Sequence, residues 1–388
     1  MKILHTSDWH LGHQLYGYDR TEEQQDMINQ VTRIVAEERP DVFLLCGDVF
    51  HISNPSAGVH KMLVDAIISL TKANPEMKII VIAGNHDSGV RHEIFRTPWR
   101  SLGVEFVGVV RAENLDEHIF EIEGKGWVIA VPYANERFIP DGFFEDVLKK
   151  VAERNTDSLP VVMMAHTTVC GADFTGHERP EQSMIGGIEG VDIEWFGSGY
   201  DYLALGHIHH EQFVHTGFHN VRYSGTPLAV SFDETFTHSV SIVEIGSHGE
   251  RPIVKTIEIK NLRPLVNLPI EGFTDWENAR QLLAGFPDDR EAYIRLNVEV
   301  DNYLPNGASD EARIIADTKR CRFCLINSRR RRGEGTSGDV SMTISEFKEM
   351  TPIEIAQKFV EQQGGDFTDE MTEMFKEVIN RLELQDEA

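Results

Sequence analysis

Short runs of consecutive apolar residues recur through the first half of the chain, and a polar cluster follows each of them. Examples of the apolar runs are Ile3-Leu4, Val42–Leu45 and Ile79–Ile82. An uninterrupted run of this kind is typical of a strand that is buried on both faces of a sheet. The polar clusters are therefore expected to meet at one edge of a buried sheet, where open sheets place their ligands.

Helical spacing of apolar residues separates these runs. Thr21 and Gln24 have the spacing of a capping box and predict a helix that begins at Thr21 and ends before Pro40. Further helices are predicted at 57–72, 92–101 and 142–154, and strands at 78–83, 104–110, 118–123, 127–132, 161–165, 201–206, 221–224, 239–245 and 253–259. This alternation predicts an α/β domain over residues 1–260, in which helices flank a sandwich of two mixed sheets.

The rest of the chain predicts two smaller parts. An extended segment to Ile270, helices at 275–284 and 309–318, and strands at 292–300 and 321–327 predict a small α+β cap domain over residues 261–335. Residues 336–388 predict a helical region, because Thr351, Pro352 and Glu354 form a helix start.

The polar clusters contain the residue types that bind divalent metals. They read Asp8-Trp9-His10, Gly47-Asp48 with His51, Gly84-Asn85-His86-Asp87, His166, and Gly206-His207-Ile208-His209. Imidazoles, carboxylates and one amide oxygen, without thiolates, suit Mn, Fe or Zn better than they suit calcium or a structural zinc site. We therefore expect divalent ions here, with Mn²⁺ as the first choice.

Two ions in one site need a ligand that touches both of them, and a carboxylate has two oxygens with which to do so. Asp48 is the predicted bridge. The remaining predicted ligands are Asp8, His10 and His209 for one ion and Asn85, His166 and His207 for the other.

His86 has no metal in this assignment. An imidazole beside the ions can stabilise the negative charge that develops on the phosphoryl group, or protonate the leaving oxygen. We therefore predict that His86 is catalytic and that Asp87 holds or charges its imidazole.

Each cluster also has a structural explanation of its own. A lone Asp-x-His is more often a turn or a cap than a pair of ligands, and Gly84 and Asn85 could form a turn with positive φ. All five clusters occur in one chain, however, each at the end of a predicted strand. Their joint occurrence favours the metal site.

The order of the clusters resembles that of the calcineurin-like metallophosphoesterases, whose motifs run Asp-x-His, Gly-Asp, Gly-Asn-His-Asp/Glu, His and Gly-His-x-His. The resemblance is strongest to a DNA nuclease branch of this family and covers most of residues 1–245. It rests on Met1–Gly12, Ala204–His209, Val221–Pro227 and Ser231–Glu234. It implies a four-layer metallophosphoesterase sandwich, the ligand roles given above, and a cap that guides DNA to the nuclease face.

The resemblance also bears on His51. Some bacterial members of the family carry Asp here, whereas archaeal and eukaryotic counterparts carry His in a Gly-Asp-x-Phe-His pattern that this chain shares. His51 is therefore expected either as a second catalytic histidine that positions the DNA or as a surface histidine.

Composition limits where the protein is expected. No run approaches the roughly 18 apolar residues of a membrane span, and Asp8 interrupts the N-terminal apolar run too early for a secretory signal. The four cysteines have no evident partners, and Cys321 and Cys324 fit two positions of a strand better than half of a zinc knuckle. These features predict a cytoplasmic protein without membrane contact.

A net charge of −26 argues against binding nucleic acid through overall basicity. The charge is uneven, because residues 319–332 contain bases and no acids, while the residues after them are mostly acidic where charged. Arg329, Arg330, Arg331 and Arg332 are therefore candidate DNA contacts, with a solvated hairpin tip as the alternative.

An apolar stripe near the C-terminus is a candidate partner surface. It contains Phe359, Met371, Phe375 and Leu382. The stripe could instead pack on its own domain. The resemblance implies that this region holds a separate ATPase subunit, in a heterotetramer built around a homodimer of this chain. The chain has no Gly-x-x-x-x-Gly-Lys-Ser/Thr loop of its own.

The combined expectation is the nuclease subunit of a complex that processes DNA ends and hairpins in repair and recombination. It would act as a double-strand exonuclease and single-strand endonuclease, with ATP dependence supplied by the partner. Two alternatives remain: a stand-alone phosphodiesterase or phosphatase acting on a small nucleotide or phosphoprotein, and a non-enzymatic DNA-end scaffold with a vestigial site. The intact ligand set disfavours the scaffold, and the long extension beyond the core is unnecessary for a small substrate.

Overall fold

The computed structural model of the protein describes residues 1–331 except 136–137, 177–189, 215–216 and 218. Beyond residue 331 it describes residues 357, 360, 367, 368, 371 and 372. Met1–Arg330 form one compact unit and Arg331–Ala388 a second. The predicted C-terminal helices, with Phe359, Phe375 and Leu382, lie outside the described residues, as does Arg332.

The described part of the chain contains fifteen strands and six α-helices. The strands are β1 (Lys2–Thr6), β2 (Val42–Cys46), β3 (Lys78–Ile82), β4 (Val104–Val107), β5 (Ile119–Ile122), β6 (Gly126–Ala130), β7 (Val161–His166), β8 (Tyr202–Gly206), β9 (Gln212–Phe213), β10 (Val221–Tyr223), β11 (Ser239–Glu244), β12 (Ile253–Glu258), β13 (Leu265–Leu268), β14 (Tyr293–Val300) and β15 (Arg322–Arg330). The helices are α1 (Thr21–Glu38), α2 (Ala57–Ala73), α3 (Gly89–Arg100), α4 (Phe143–Arg154), α5 (Trp276–Ala284) and α6 (Ala308–Ala316).

Two six-stranded mixed sheets form the centre of the described structure. Their strand orders are β12-β11-β1-β2-β3-β4 and β5-β6-β7-β8-β10-β9. Strands β1 to β4 run parallel, as do β6, β7, β8 and β10, whereas β11 pairs antiparallel with β1 and β5 with β6. The carboxyl ends of the parallel strands therefore point to one end of each sheet.

Alternate residues of each central strand explain how the sheets stack. In β2, Val42 and Leu44 pack against the inner face of the other sheet, while Phe43 and Leu45 pack under helices α1 and α2. The second sheet repeats this arrangement, with α4 on its outer face. Both faces of the strands are buried, which explains their continuous apolar runs. The prediction of a four-layer α/β sandwich is confirmed.

The start of α1 differs from its prediction. Thr21 is the first helical residue and is not an N-cap; its backbone N–H donates to Asp19 Oδ1 over 2.8 Å. Gln24 does not return to the start of the helix. Its Oε1 accepts from Gly12 N at 3.1 Å and its Nε2 donates to the His10 carbonyl at 3.4 Å. The capping-box prediction was wrong because Gln24 is used to hold the loop after β1.

Strands β13, β14 and β15 form a parallel sheet that α5 and α6 cover. This sheet lies within the first compact unit and contacts the sandwich directly. Tyr293 on β14 donates from its hydroxyl to Glu23 Oε1 at 2.7 Å, and its ring packs with Leu15 and Phe232. The contact ties the cap to the loop after β1.

Two further features of the structure concern membrane-spanning helices and cysteines. In the described part of the chain no helix combines the length and apolarity needed to cross a membrane. Cys321 and Cys324 are free thiols; Cys324 lies within β15, as its interpretation as a strand residue required, whereas Cys321 directly precedes that strand.

Candidate metal centre

The loops that follow β1, β2, β3, β7 and β8 meet above the carboxyl ends of both sheets. The first two loops run side by side: Asp8 N–H donates to the Gly47 carbonyl, and His10 N–H to the Asp48 carbonyl, each at 3.0 Å. Strand β2 lies against β7 and β8 of the opposite sheet. The predicted ligands from both sheets therefore share one small region.

The backbone at this junction adopts a conformation that L-residues rarely take. Asp8, His10, Asp48 and His207 all have positive φ, at 54°, 44°, 46° and 101°. Each such residue costs on the order of 1–3 kcal/mol, so the rest of the fold must hold it there. Four strained residues in a single cluster of predicted ligands indicate that the loops are shaped for their side chains.

Close packing of these loops also requires glycine. A Cβ on Gly84 would lie 2.2 Å from both the backbone nitrogen and Oδ1 of Asp48, and one on Gly206 would lie 1.9 Å from the Cys46 carbonyl oxygen. The Gly-Asn-His-Asp and Gly-His-x-His patterns therefore each begin with a residue whose lack of a side chain lets two ligand loops touch.

The first ligand group contains Asp8, His10 and His209, all buried. The Nε2 atoms of His10 and His209 face each other at 3.1 Å. The other ring nitrogen of His209, Nδ1, donates to Glu234 Oε1 at 2.7 Å. Nδ1 of His10 is buried without a hydrogen-bond partner among the described residues.

The second group contains Asp48, His166 and His207, with Asn85 beside them. Asn85 Oδ1 lies 3.0 Å from both His166 Nε2 and His207 Nδ1. His166 Nδ1 donates to the Cys46 carbonyl at 2.8 Å. This bond fixes the ring and directs Nε2 towards the centre, as outer contacts of metal-binding histidines commonly do.

Asp48 lies between the two groups. Its Oδ2 is 3.9 Å from His10 Nε2 and 3.5 Å from His166 Nε2, while its Oδ1 accepts from the His86 backbone N–H at 2.8 Å. Within each group the ligand atoms lie within 4.8 Å of one another. The converging oxygen and nitrogen donors, with outer ring nitrogens tied to the protein at His166 and His209, fit two divalent ions.

Burial and neighbouring charges shift the pKa values of these residues. Burial raises the pKa of the Asp8 carboxyl. Burial also acts to raise the pKa of Asp48, but His166, His10 and His86 together outweigh it and hold that pKa well below its usual range.

The pKa values of His166 and His209 shift in the opposite direction from the one that burial alone would give. Although burial acts to lower both pKa values, Asp48 raises the pKa of His166 to about 9, and Glu234 raises that of His209 to about 9. Without a cation, both rings are therefore in the protonated imidazolium form at neutral pH. Metal binding at these nitrogens displaces protons and weakens as the pH falls.

His86 lies at the mouth of the centre. Its Nδ1 donates to the His51 carbonyl at 2.8 Å, which leaves Nε2 as the nitrogen available to a substrate. The ring of His51 stacks on that of His86, with the centroids 5.7 Å apart, and burial lowers the pKa of His51. His10, His51 and His86 also have ligand atoms within 4.8 Å of one another, although His10 belongs to the first ligand group.

Asp87 has a different partner from the one predicted. Its carboxylate accepts from the backbone N–H groups of Gly84, Val49 and Phe50 at 2.9–3.1 Å. The His86 ring is oriented by the His51 carbonyl instead. The expectation that Asp87 holds the imidazole was wrong, because the amides of two loop backbones occupy both of its oxygens.

Glu234 was not predicted as part of the site. A sequence signal exists, since Ser231–Glu234 is one of the blocks that carry the family resemblance, but the block alone gives Glu234 no role. Its side chain is completely buried and pairs with His209, so it is a carboxylate behind a candidate metal ligand.

The structure describes some of the candidate DNA and partner residues. Arg329 and Arg330 are the last two residues of strand β15. Arg329 lies 4.1 Å above the Phe273 ring and pairs with Glu299, and Arg330 lies over Tyr303. Arg331 is the last residue before the undescribed segment. Of the candidate partner residues the structure describes Met371, whose side chain is exposed.

Residues 1–211 match the family described as Calcineurin-like phosphoesterase, and the chain therefore belongs to that family. The chain is 30% identical over 300 residues to the SbcD subunit of the nuclease SbcCD from Rhodobacter capsulatus, across 70% of this chain and 72% of that protein. It is also 30% identical over 330 residues to the SbcD subunit of the same nuclease from Bacillus subtilis, across 78% of this chain and 80% of the relative. The predicted resemblance to a DNA nuclease branch of the family is confirmed, and that branch is SbcD.

We predict that Gly84→Ala reduces the number of bound metal ions without unfolding the protein. The added methyl group meets the backbone and carboxylate of Asp48, so the shared ligand must move. The matched control is Gly58→Ala in helix α2, where the nearest atom to a new Cβ is 3.8 Å away. Elemental analysis after loading with Mn²⁺ should find two ions in the control and fewer in Gly84→Ala, with equal circular dichroism. Two ions in Gly84→Ala would contradict this view of the loop contact.

Proposed function

We propose that the chain is the nuclease subunit of an SbcCD-like complex and hydrolyses phosphodiester bonds of DNA with two Mn²⁺ ions. Its metal ligands are Asp8, His10, Asp48, Asn85, His166, His207 and His209. The observation that carries the proposal is Asp48, whose carboxylate lies between two groups of converging ligands, with His86 beside them. The family membership and the names of the relatives support the same activity.

When bound, two divalent ions supply Lewis acidity to the phosphodiester and lower the pKa of a coordinated water. The residues around them then have separate tasks. The Asp48 carboxylate lies between the two groups of ligands and links them. His86, oriented through Nδ1, presents Nε2 to the leaving sugar oxygen, where a proton can be donated.

His51 and Asp87 act around His86. We assign His51 as the second catalytic histidine, since its ring stacks on His86 at the open side of the centre. Asp87 contributes through the backbone: it ties Gly84 to Val49 and Phe50, and so fixes the spacing of the loops that carry Asp48 and His86.

DNA is favoured over a small substrate by the cap. A compact three-stranded sheet with two helices is docked on the loop after β1 and on the segment before β11, beside the metal centre. A small phosphoester needs no such surface. Arg329 and Arg330 are stacked on aromatic rings at the end of β15, an arrangement suited to a phosphate backbone.

The proposed assembly is a homodimer of this chain joined to SbcC-like ATPase subunits in a heterotetramer. Four exposed apolar residues on α2, on α3 or just after α3 are our candidates for the dimer contact, since larger exposed apolar patches are typical of interfaces. They are Ile68, Val90, Ile94 and Leu102. For the ATPase we retain the C-terminal stripe of Phe359, Met371, Phe375 and Leu382.

We predict that two substitutions separate catalysis from metal binding. His86→Ala should retain two Mn²⁺ ions and lose cleavage of an end-labelled DNA hairpin, because the group that donates a proton to the leaving oxygen is removed. Asp48→Ala should lose metal and cleavage together, because the shared ligand is removed. Bound manganese is measured by elemental analysis, and cleavage on denaturing gels.

The small substrate bis-p-nitrophenyl phosphate serves as the control in the same experiment. Its leaving group needs no proton, so His86→Ala should lose less activity on it than on DNA. Full hairpin cleavage by His86→Ala, or two tightly bound ions in Asp48→Ala, would refute the assigned roles. Hydrolysis of the small substrate without any cleavage of DNA would favour a stand-alone phosphodiesterase.

We predict that replacing Arg329, Arg330, Arg331 and Arg332 with Gln weakens duplex binding equally across sequences. Each lost phosphate contact reduces the slope of log K against log salt by about 0.9. Arg280→Gln is a matched control, because this cap arginine pairs with Glu277 and Glu311 on the helices. Fluorescence anisotropy from low to high salt gives the slopes. Identical slopes for the unsubstituted and fourfold-substituted chains would exclude these arginines from the DNA contact.

A further inference from the structure

The segment Ala229–Glu234 connects the candidate metal centre to the cap. One end of it carries Glu234, which pairs with the metal-ligand candidate His209. The residues directly before Glu234 are Phe232 and Asp233, and both contact the cap. The same short segment therefore contacts a candidate metal ligand on one side and the cap sheet on the other.

The contact at the metal centre is direct. Glu234 Oε1 accepts from His209 Nδ1 at 2.7 Å, and Glu234 Oε2 accepts from the Val230 backbone N–H at 3.0 Å. The Glu234 side chain is completely buried. It cannot rotate into solvent, so its position follows that of its own backbone. Nδ1 of His209 follows Glu234 in turn, and Nε2 on the far side of the ring is the atom that faces His10.

Arg295 on β14 makes the contact from the cap. Its Nη1 pairs with Asp233 Oδ1 at 2.7 Å, and its guanidinium carbon lies 5.4 Å from the centre of the Phe232 ring. Its Nε donates to Asn267 Oδ1 at 2.8 Å, and Asn267 Nδ2 donates to the Phe232 carbonyl at 3.2 Å. Two cap strands thus contact the segment one and two residues before Glu234.

The sandwich holds the other end of the segment. Arg20 is buried and donates from Nη1 to the Ala229 carbonyl, and Phe232 packs between Leu15 of the sandwich and Tyr293 of the cap. The start of the segment is thereby anchored to the loop after β1. A displaced cap would therefore pull on the part of the segment between residues 229 and 234, where Glu234 lies.

We infer that Arg295 is a positioning residue for the metal centre, acting through Phe232, Asp233 and Glu234 on the orientation of His209. The inference rests on the proposed two-metal site. The position of the cap would then affect the orientation of a metal ligand. A cap held in place by Arg295 keeps His209 Nε2 aligned with His10, whereas a displaced cap leaves the His209 ring free to turn. DNA or a partner that moves the cap would by this route change the affinity for one of the two ions.

The expected size of the effect follows from other metal sites. Removal of a group that orients a metal ligand typically costs roughly 10–100-fold in metal affinity. Glu234→Ala removes that group itself and should weaken one Mn²⁺ by about that factor. Arg295→Ala leaves Glu234 in place but loosens its backbone, so a loss of several-fold in the same ion is expected. The second ion, held by Asn85, His166 and His207, should be unaffected by either change.

The test is a titration of the metal-stripped full-length chain with Mn²⁺, followed by calorimetry for both affinities. The variants are Arg295→Ala, Glu234→Ala and the two combined, and Arg280→Ala is the control for loss of a cap ion pair. If Arg295 acts through Glu234, the double variant should bind the weakened ion no more weakly than Glu234→Ala alone. Arg280→Ala should match the unsubstituted chain.

Two outcomes would overturn the inference: unchanged affinity for both ions in Arg295→Ala, or a loss in the double variant that equals the product of the single losses. The thermal midpoint of each metal-free variant checks the fold. If Arg295→Ala lowers it, Asp233→Asn breaks the same ion pair from the exposed side of the segment and takes its place, with the same expected loss. Because the readout is Mn²⁺ affinity, a chain that binds two ions normally but cleaves no DNA would refute the proposed nuclease and leave this inference intact.

Discussion

Burial of the Asp48 carboxylate is the constraint around which the two sheets are arranged. An ionised carboxylate removed from water is costly unless positive charge or donors surround it. Here His10 and His166 approach it from opposite sheets, and the His86 backbone N–H donates to it. The sandwich brings these groups together only because β2 lies against β7 and β8. The fold thus places one protonated histidine, His166, and one backbone donor at this carboxylate.

The cost of this arrangement is distributed over the loops. Positive φ at four candidate ligands is unfavourable, and it persists because the loops brace one another through Gln24, Asp87 and the contacts at Gly84 and Gly206. None of these bracing residues is a predicted metal ligand. The glycines and acids of the family patterns therefore divide into residues that contact the reacting groups and residues that hold the loops in a strained conformation.

Much of this was predictable from the chain because the signals were local. Continuous apolar runs indicated the buried strands, and ligand-type residues directly after them indicated the metal centre, since parallel strands end at the same edge. The roles of Gln24, Asp87 and Glu234 were not predictable in the same way. Each depends on a backbone group or side chain distant in sequence, such as His209 for Glu234. At Gln24 the local spacing gave a wrong prediction, because a tertiary contact replaced the expected capping box.

Asp48 is proposed to join two ions held by ligands from both sheets. Anomalous diffraction from crystals of the Mn²⁺-loaded protein at the manganese edge tests it most directly. The account predicts two peaks about 3.5–4 Å apart, one beside Asp8, His10 and His209 and the other beside Asn85, His166 and His207, with Asp48 between them. A single peak, or a peak at His10, His51 and His86 in place of this pair, would contradict it.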